Sequence, residues 1–143
     1  YRGTNMMRSV INEGTGAGAR AMGLTADAAG KTGTTNDLRD AWFVGFTPDL
    51  LTVVWVGLDE NAELGLSGAQ AALPIWTTFM MKALAGQPRT QFPVPDNVTV
   101  ADIDPATGAL AGPYCPRAIT EAFLSGTTPT RVCEVHIAVA RGQ

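Results

Sequence analysis

Ala29-Gly30-Lys31-Thr32-Gly33-Thr34, Ala41-Trp42-Phe43-Val44-Gly45-Phe46-Thr47 and Leu51-Thr52-Val53-Val54-Trp55-Val56-Gly57-Leu58 follow one another with short polar breaks between them. In the middle run Trp42, Val44 and Phe46 alternate with Ala41, Phe43 and Gly45, the period of a sheet packed mainly on one face. The third run is β-branched and apolar on both faces, which predicts a deeply buried strand. Thr47-Pro48-Asp49-Leu50 sets Pro at the second turn position, where its fixed φ favours a tight reversal. Residues 35–40 are a polar loop. A three-stranded antiparallel meander is the simplest arrangement of these pieces.

Outward from the meander the period changes to that of helices. Before it, Met6, Met7, Val10 and Ile11 recur at helical spacing, with Thr4 or Asn5 as N-cap and Gly14 as stop. The Ala- and Gly-rich residues 15–22 form a short second helix ending at Gly23, and the Met pair is core filler. After it, Leu73, Trp76, Phe79, Met80, Ala83 and Leu84 fall on one stripe, with Pro74 tolerated in the first turn and Gly86 as stop. That stripe is expected to cover the meander, with Trp42 and Trp55 as further core aromatics or, for either, a residue approaching a cleft. Pro88, Pro93 and Pro95 make residues 87–97 an extended linker. Val98 to Ile103 reads as one more strand, turned by Asp104-Pro105-Ala106-Thr107-Gly108. The remaining residues show little periodicity and are expected to form a small appendage, so the domain division is 1–86 and 87–143.

The chain has 143 residues, 45% hydrophobic and 16% charged, which suits a folded domain with one core rather than a disordered segment. Its net charge of -3, without a basic block, argues against a nucleic-acid partner. The apolar stretches 50–58 and 69–73 fall far short of the roughly 20 residues of a membrane helix. A helix beginning close to Tyr1, without a leader, reads as a piece of a longer polypeptide whose membrane anchor would lie outside this sequence.

Cys115 and Cys133, close in sequence on a loop-rich tail, read first as a disulfide and then as free thiols. A metal site built from them and His136, the sole histidine, lacks an obvious fourth ligand, so no metal is assigned. Asp59, Glu60 and Glu63 read as a solvated loop, and His136 as a residue on the surface or packed in the tail.

Three glycine-rich patterns compete for a functional meaning. Gly30-Lys31-Thr32 is not a phosphate loop, because Thr25 stands where that motif needs Gly and a strand follows instead of a helix. Gly14, Gly16 and Ala19 fit a dinucleotide fingerprint in spacing, but a helix precedes them where a strand is required. No cofactor is therefore expected. Lys31-Thr32-Gly33-Thr34 offers a cation, hydroxyls and a residue without a side chain on an accessible strand, a set suited to an anionic peptide end. By themselves these four residues favour an ordinary edge strand guarded by Lys.

The surrounding sequence reverses that preference. The run from Ala29 through Lys31-Thr32-Gly33-Thr34-Thr35-Asn36-Asp37 and Ala41-Trp42-Phe43-Val44-Gly45 to Pro48 resembles the K-T-G region of class A, bifunctional penicillin-binding proteins. So do Met7-Arg8-Ser9-Val10, Glu13-Gly14-Thr15-Gly16, Val54-Trp55-Val56-Gly57, Ala72-Leu73-Pro74-Ile75-Trp76, Phe92-Pro93-Val94-Pro95, Cys115-Pro116 and Phe123-Leu124-Ser125-Gly126-Thr127. The resemblance covers nearly the whole chain and implies the C-terminal half of a transpeptidase domain. The fold implied is α+β, an antiparallel sheet covered by helices as in the penicillin-binding and serine β-lactamase-like enzymes.

In such enzymes S-x-x-K, S-x-N and K-T-G meet in one cleft. The three serines here, Ser9, Ser67 and Ser125, are followed at the third position by Asn12, Gln70 and Thr128, and none has Asn two residues on. The resemblance thus implies that the nucleophile and the S-x-N motif come from the N-terminal part of the same enzyme, and that this fragment alone is inactive. Lys31 would keep the cleft positive beside the S-x-N serine. Thr32 and Thr34, with Thr35 next to them, would receive the terminal carboxylate of a D-Ala-D-Ala stem peptide or a β-lactam. Gly33 would keep the approach clear, and the Thr34 backbone N–H would be one of two oxyanion donors. The reaction implied is acyl transfer through a serine, cross-linking cell-wall peptides on the outer side of the cytoplasmic membrane. A DD-carboxypeptidase or β-lactamase relative, or a module that binds peptide ends without turnover, shares the same strand.

Overall fold

The computed structural model describes residues 1–60 and 62–136 of the chain. The end of the expected appendage, beyond 136, lies outside the described residues. Two compact units are formed, residues 1–93 and 94–143. The first contains α1 (Arg2–Asn12), α2 (Gly18–Ala21), β1 (Ala29–Thr34), β2 (Ala41–Phe46), β3 (Leu51–Val56) and α3 (Ala72–Ala83). The second contains the antiparallel pair β4 (Val98–Ile103) and β5 (Ile119–Leu124).

The meander is present as expected, in the order β1-β2-β3 with both pairs antiparallel. Its register joins Thr32 to Phe43 and Phe43 to Val54, so Gly30, Thr32, Thr34, Ala41, Phe43, Gly45, Thr52, Val54 and Val56 share one face. Across β2 and β3 on that face lies α3. Its Trp76 ring stands 4.9 Å from that of Phe43, and the indole N–H donates to Gly45 O at 3.3 Å. Gly45 is required here, because a Cβ would enter the Trp76 ring and come within 2.8 Å of Phe43. Ile11 of α1 and Ala19 of α2 complete the core with Leu24, Leu73 and Met80. The turn after β2 is closed by Thr47, whose N–H donates to Leu50 O at 2.9 Å and whose hydroxyl accepts the Leu50 N–H.

Three expectations about burial are corrected. Among the described residues β3 lies at an edge of its sheet and is not deeply buried: Leu51, Val53 and Trp55 are 62, 49 and 48% exposed, and only the face turned to α3 is partly covered. Trp42 and Trp55 are not core aromatics. They pair with each other on the opposite, open face, ring centroids 6.1 Å apart, and Trp55 donates to Asp40 at 2.8 Å. On α3, Phe79 and Ala83 are exposed, and Thr77 takes a place in the buried stripe by donating its hydroxyl proton to Leu73 O at 2.8 Å. Hydropathy alone had excluded Thr77, although a back-bonded Thr carries no unsatisfied polar atom.

The Pro-rich stretch after α3 stays with the first unit as far as Pro93, so the division falls at 93/94 rather than 86/87. Phe92 accounts for this: its ring meets Phe46 edge-on at 5.5 Å, and its N–H donates to Asp27, which also pairs with Arg8 of α1 at 2.7 Å. In the second unit β4 has the expected limits, whereas β5 was not expected. Its residues Ile119-Thr120-Glu121-Ala122-Phe123-Leu124 lack a clean alternation, and none of them is fully buried.

Candidate functional site

β1 forms an edge of the described sheet, opposite its pairing with β2. Its first two residues, Ala29 and Gly30, are buried, and the chain emerges toward solvent from Lys31 onward. Along this stretch the two-residue period separates the side chains. Thr32 and Thr34 share the Phe43 face, whereas Lys31 and Gly33 share the face of Trp42 and Val44.

Two loops hold the hydroxyls in place. Thr15, in the turn after α1, places its Oγ1 3.0 Å from Thr32 Oγ1. Gly68, in the loop before α3, donates its N–H to Thr34 Oγ1 at 3.0 Å. The second bond has a chemical consequence. With its oxygen accepting from Gly68, the Thr34 hydroxyl keeps its proton for an outside acceptor. Gly68 can serve because it has no side chain: a Cβ there would press on Trp42 O and lie 2.6 Å from Gly33 O.

Lys31 is exposed, and its ammonium donates to Thr32 O at 2.8 Å. Gly33 leaves that face low, with a Cβ position 3.2 Å from Trp42 Cβ. Thr35 has a different engagement. Its hydroxyl accepts the Arg39 and Asp40 N–H groups at 3.1 and 3.0 Å, closing the loop to β2. In that loop Leu38 adopts φ 51°, and its carbonyl accepts from Leu64 and Gly65. A concavity of the first unit, lined by Leu24, Ala26, Thr47, Met81 and Leu84, includes none of residues 31–35.

Lys31, Thr32, Gly33 and Thr34 therefore follow one another along the sheet edge, Lys31 and Thr34 exposed and Thr32 and Gly33 half-buried, with hydroxyls on one face and a cation on the other. Thr15 and Gly68 were not singled out from sequence. Thr15 sits in the quoted Gly14-Thr15-Gly16 and carried a usable signal. For Gly68 the contact spans 34 positions and left none.

In the second unit, Cys115 and Cys133 are brought together as free thiols rather than as a disulfide. His136 and Asp104 join them, and all four ligand atoms lie within 4.8 Å of one another. Asp104 had been assigned only to a turn.

Comparison with known proteins gives the same family for both units. Residues 3–80 match the penicillin binding protein transpeptidase domain, and residues 94–138 match the penicillin-binding protein 1A C-terminal domain. The chain is 44% identical over 137 residues to penicillin-binding protein 1A of Pseudomonas aeruginosa, covering 94% of this chain and 16% of that protein. It is 42% identical over 131 residues to the Aquifex aeolicus protein of the same name, covering 90% of this chain and 18% of the relative. Among solved structures, penicillin-binding protein 1A from Haemophilus influenzae superposes with a TM-score of 0.71 at 33% identity, covering 91% of this chain and 20% of that one. The chain thus spans less than a fifth of the length of these curated relatives. Nine-tenths coverage at such identity, over both units, leaves one assignment: the chain belongs to the penicillin-binding protein transpeptidase family, in its class A branch.

Proposed function

We propose that this chain supplies the substrate-binding strand of a serine DD-transpeptidase that cross-links peptidoglycan stem peptides and is acylated by β-lactams. The nucleophile and the S-x-N motif would come from a preceding part of the same enzyme, outside this sequence, on the outer side of the cytoplasmic membrane. In this reading the Thr34 and Thr32 hydroxyls donate to the carboxylate of the terminal D-Ala. Lys31 holds the cleft positive, Gly33 lets the peptide lie against the strand, and the Thr34 N–H helps to stabilise the developing oxyanion. Thr35 supports the strand from the loop side.

The observation that carries the proposal is the Gly68 to Thr34 bond. It fixes the lone-pair side of the hydroxyl inward and leaves the donor free at the edge of an exposed, cationic strand.

The test changes the ligand instead of the protein. The complete enzyme is given donor stem peptides ending either in the D-Ala carboxylate or in its carboxamide. Loss of charge-assisted hydrogen bonds of about 1.5–3 kcal/mol predicts acylation about 10- to 150-fold slower for the amide. Equal rates would contradict carboxylate recognition by this strand.

A further inference from the structure

The second unit has almost no apolar interior. Among its described residues the buried side chains are Ile103, Asp104 and Cys133. A unit of this size without a hydrophobic core needs another source of stability, usually cross-links or a metal. What stands at its centre is a cluster of ligating atoms. Asp104 follows β4, Cys115 ends a turn closed by its own N–H donating to Gly112 O at 3.1 Å, and Cys133 and His136 come from one later segment. Backbone bonds set Cys133 beside the others: its N–H donates to Leu110 O at 2.8 Å, and the neighbouring Ala111 N–H donates to Asp102 O of β4.

We propose that Asp104, Cys115, Cys133 and His136 form a tetrahedral zinc site that holds this unit together. His136 Nδ1 lies 3.3 Å from Cys133 Sγ and 3.3 Å from Asp104 Oδ2. Zinc bonds of about 2.0–2.3 Å at tetrahedral angles put ligand atoms about 3.3–3.8 Å apart, the scale of the two His136 distances, and the other ligand atoms lie within 4.8 Å and need close in only slightly on an ion. Two sulfurs and an imidazole select a borderline-soft ion over calcium or magnesium, which take oxygen ligands. Four protein ligands close the coordination shell, so the site is structural and offers no position for a catalytic water.

Hydrogen bonds around the cluster fit the same role. Gly112 N–H donates to Cys115 Sγ at 3.2 Å, Thr107 Oγ1 to Asp104 Oδ2 at 2.8 Å, and Ala106 N–H to Asp104 Oδ1 at 3.0 Å. Such outer contacts orient ligands and favour their ionised forms. A divalent ion reconciles a carboxylate and two thiolates, leaving one negative charge over. A Cys115–Cys133 bridge would account for the two sulfurs, but not for a carboxylate only 2% exposed sharing their cluster with an imidazole.

The test uses the full chain, exported from a bacterial host grown with zinc and purified without chelator or reductant. Native mass spectrometry and elemental analysis are expected to find one zinc per chain, with both thiols alkylated only after chelation and denaturation. Cobalt exchange is expected to add a thiolate-to-metal absorption band. His136→Gln removes a ligand and is expected to lower zinc affinity at least tenfold. Thr107→Val, which touches no ligand bond, is expected to lower it about 10- to 100-fold by releasing Asp104. A Cys115–Cys133 disulfide without zinc would overturn the proposal, as would zinc-free protein with reactive thiols. So would undiminished zinc affinity in both variants.

Discussion

Thr34 is the residue on which the functional reading turns, and its contacts decide how it should be probed. Thr34→Val removes the donor proton proposed for the ligand and also the acceptor of the Gly68 N–H. Thr34→Ser keeps both. In the complete enzyme Thr34→Val is expected to lower the second-order rate of β-lactam acylation about 10- to 150-fold, with a modest fall in melting temperature, whereas Thr34→Ser stays near the parental rate. Stopped-flow acylation and thermal denaturation of the pair measure this. Lys31, Thr32 and Gly33 were legible because a short strand displays its residues in sequence order. The groups that orient them were not. Thr15 and Gly68 arrive from 17 and 34 positions away, and distant contacts leave no periodicity.

At the scale of elements, periodicity located the strands and helices but not always their buried sides. A run that is apolar on both faces reads as a central strand, yet among the described residues β3 ends its sheet and exposes Leu51, Val53 and Trp55. Similarly, the stripe on α3 was drawn through Phe79, whereas the packed line runs through Leu73, Trp76, Thr77 and Met80. In the 143-residue chain, Trp76→Ala is therefore expected to destabilise the first unit by about 3–5 kcal/mol, and Phe79→Ala by less than about 1 kcal/mol. Gly45→Ala, forcing a methyl against Trp76 and Phe43, is expected to lose about 1–3 kcal/mol. Urea denaturation followed by tryptophan fluorescence checks all three. Comparable losses for Trp76→Ala and Phe79→Ala would mean that α3 is rotated from the orientation described. β5 escaped notice for a related reason: in a two-stranded ribbon where Ile103 of β4 is the one buried side chain, neither strand carries a clear hydropathy signal.

At the scale of the whole molecule, the chain divides into two units at 93/94, and Phe92, a single aromatic within a Pro-rich stretch, packs with the first. The sequence contains no S-x-x-K serine, so the purified 143-residue chain is expected to remain unlabelled by a fluorescent penicillin on a denaturing gel, while the complete enzyme is labelled. The central claim is that Lys31 to Thr34 form the substrate strand of that enzyme. Lys31 and Lys82 allow a direct comparison, since both are exposed and each replacement by Ala removes one positive charge. Lys31 lies on the proposed strand, where a cleft completed by the rest of the enzyme would strengthen attraction to an anionic ligand, and Lys82 lies on the exposed side of α3, where solvent screens it. The measurement is the second-order rate of β-lactam acylation of the complete enzyme, with melting temperature recorded beside it. The account predicts a fall of at least about tenfold for Lys31→Ala and none for Lys82→Ala, at unchanged melting temperature. Equal rates in the two variants would contradict it, leaving β1 an edge strand with a lysine on it.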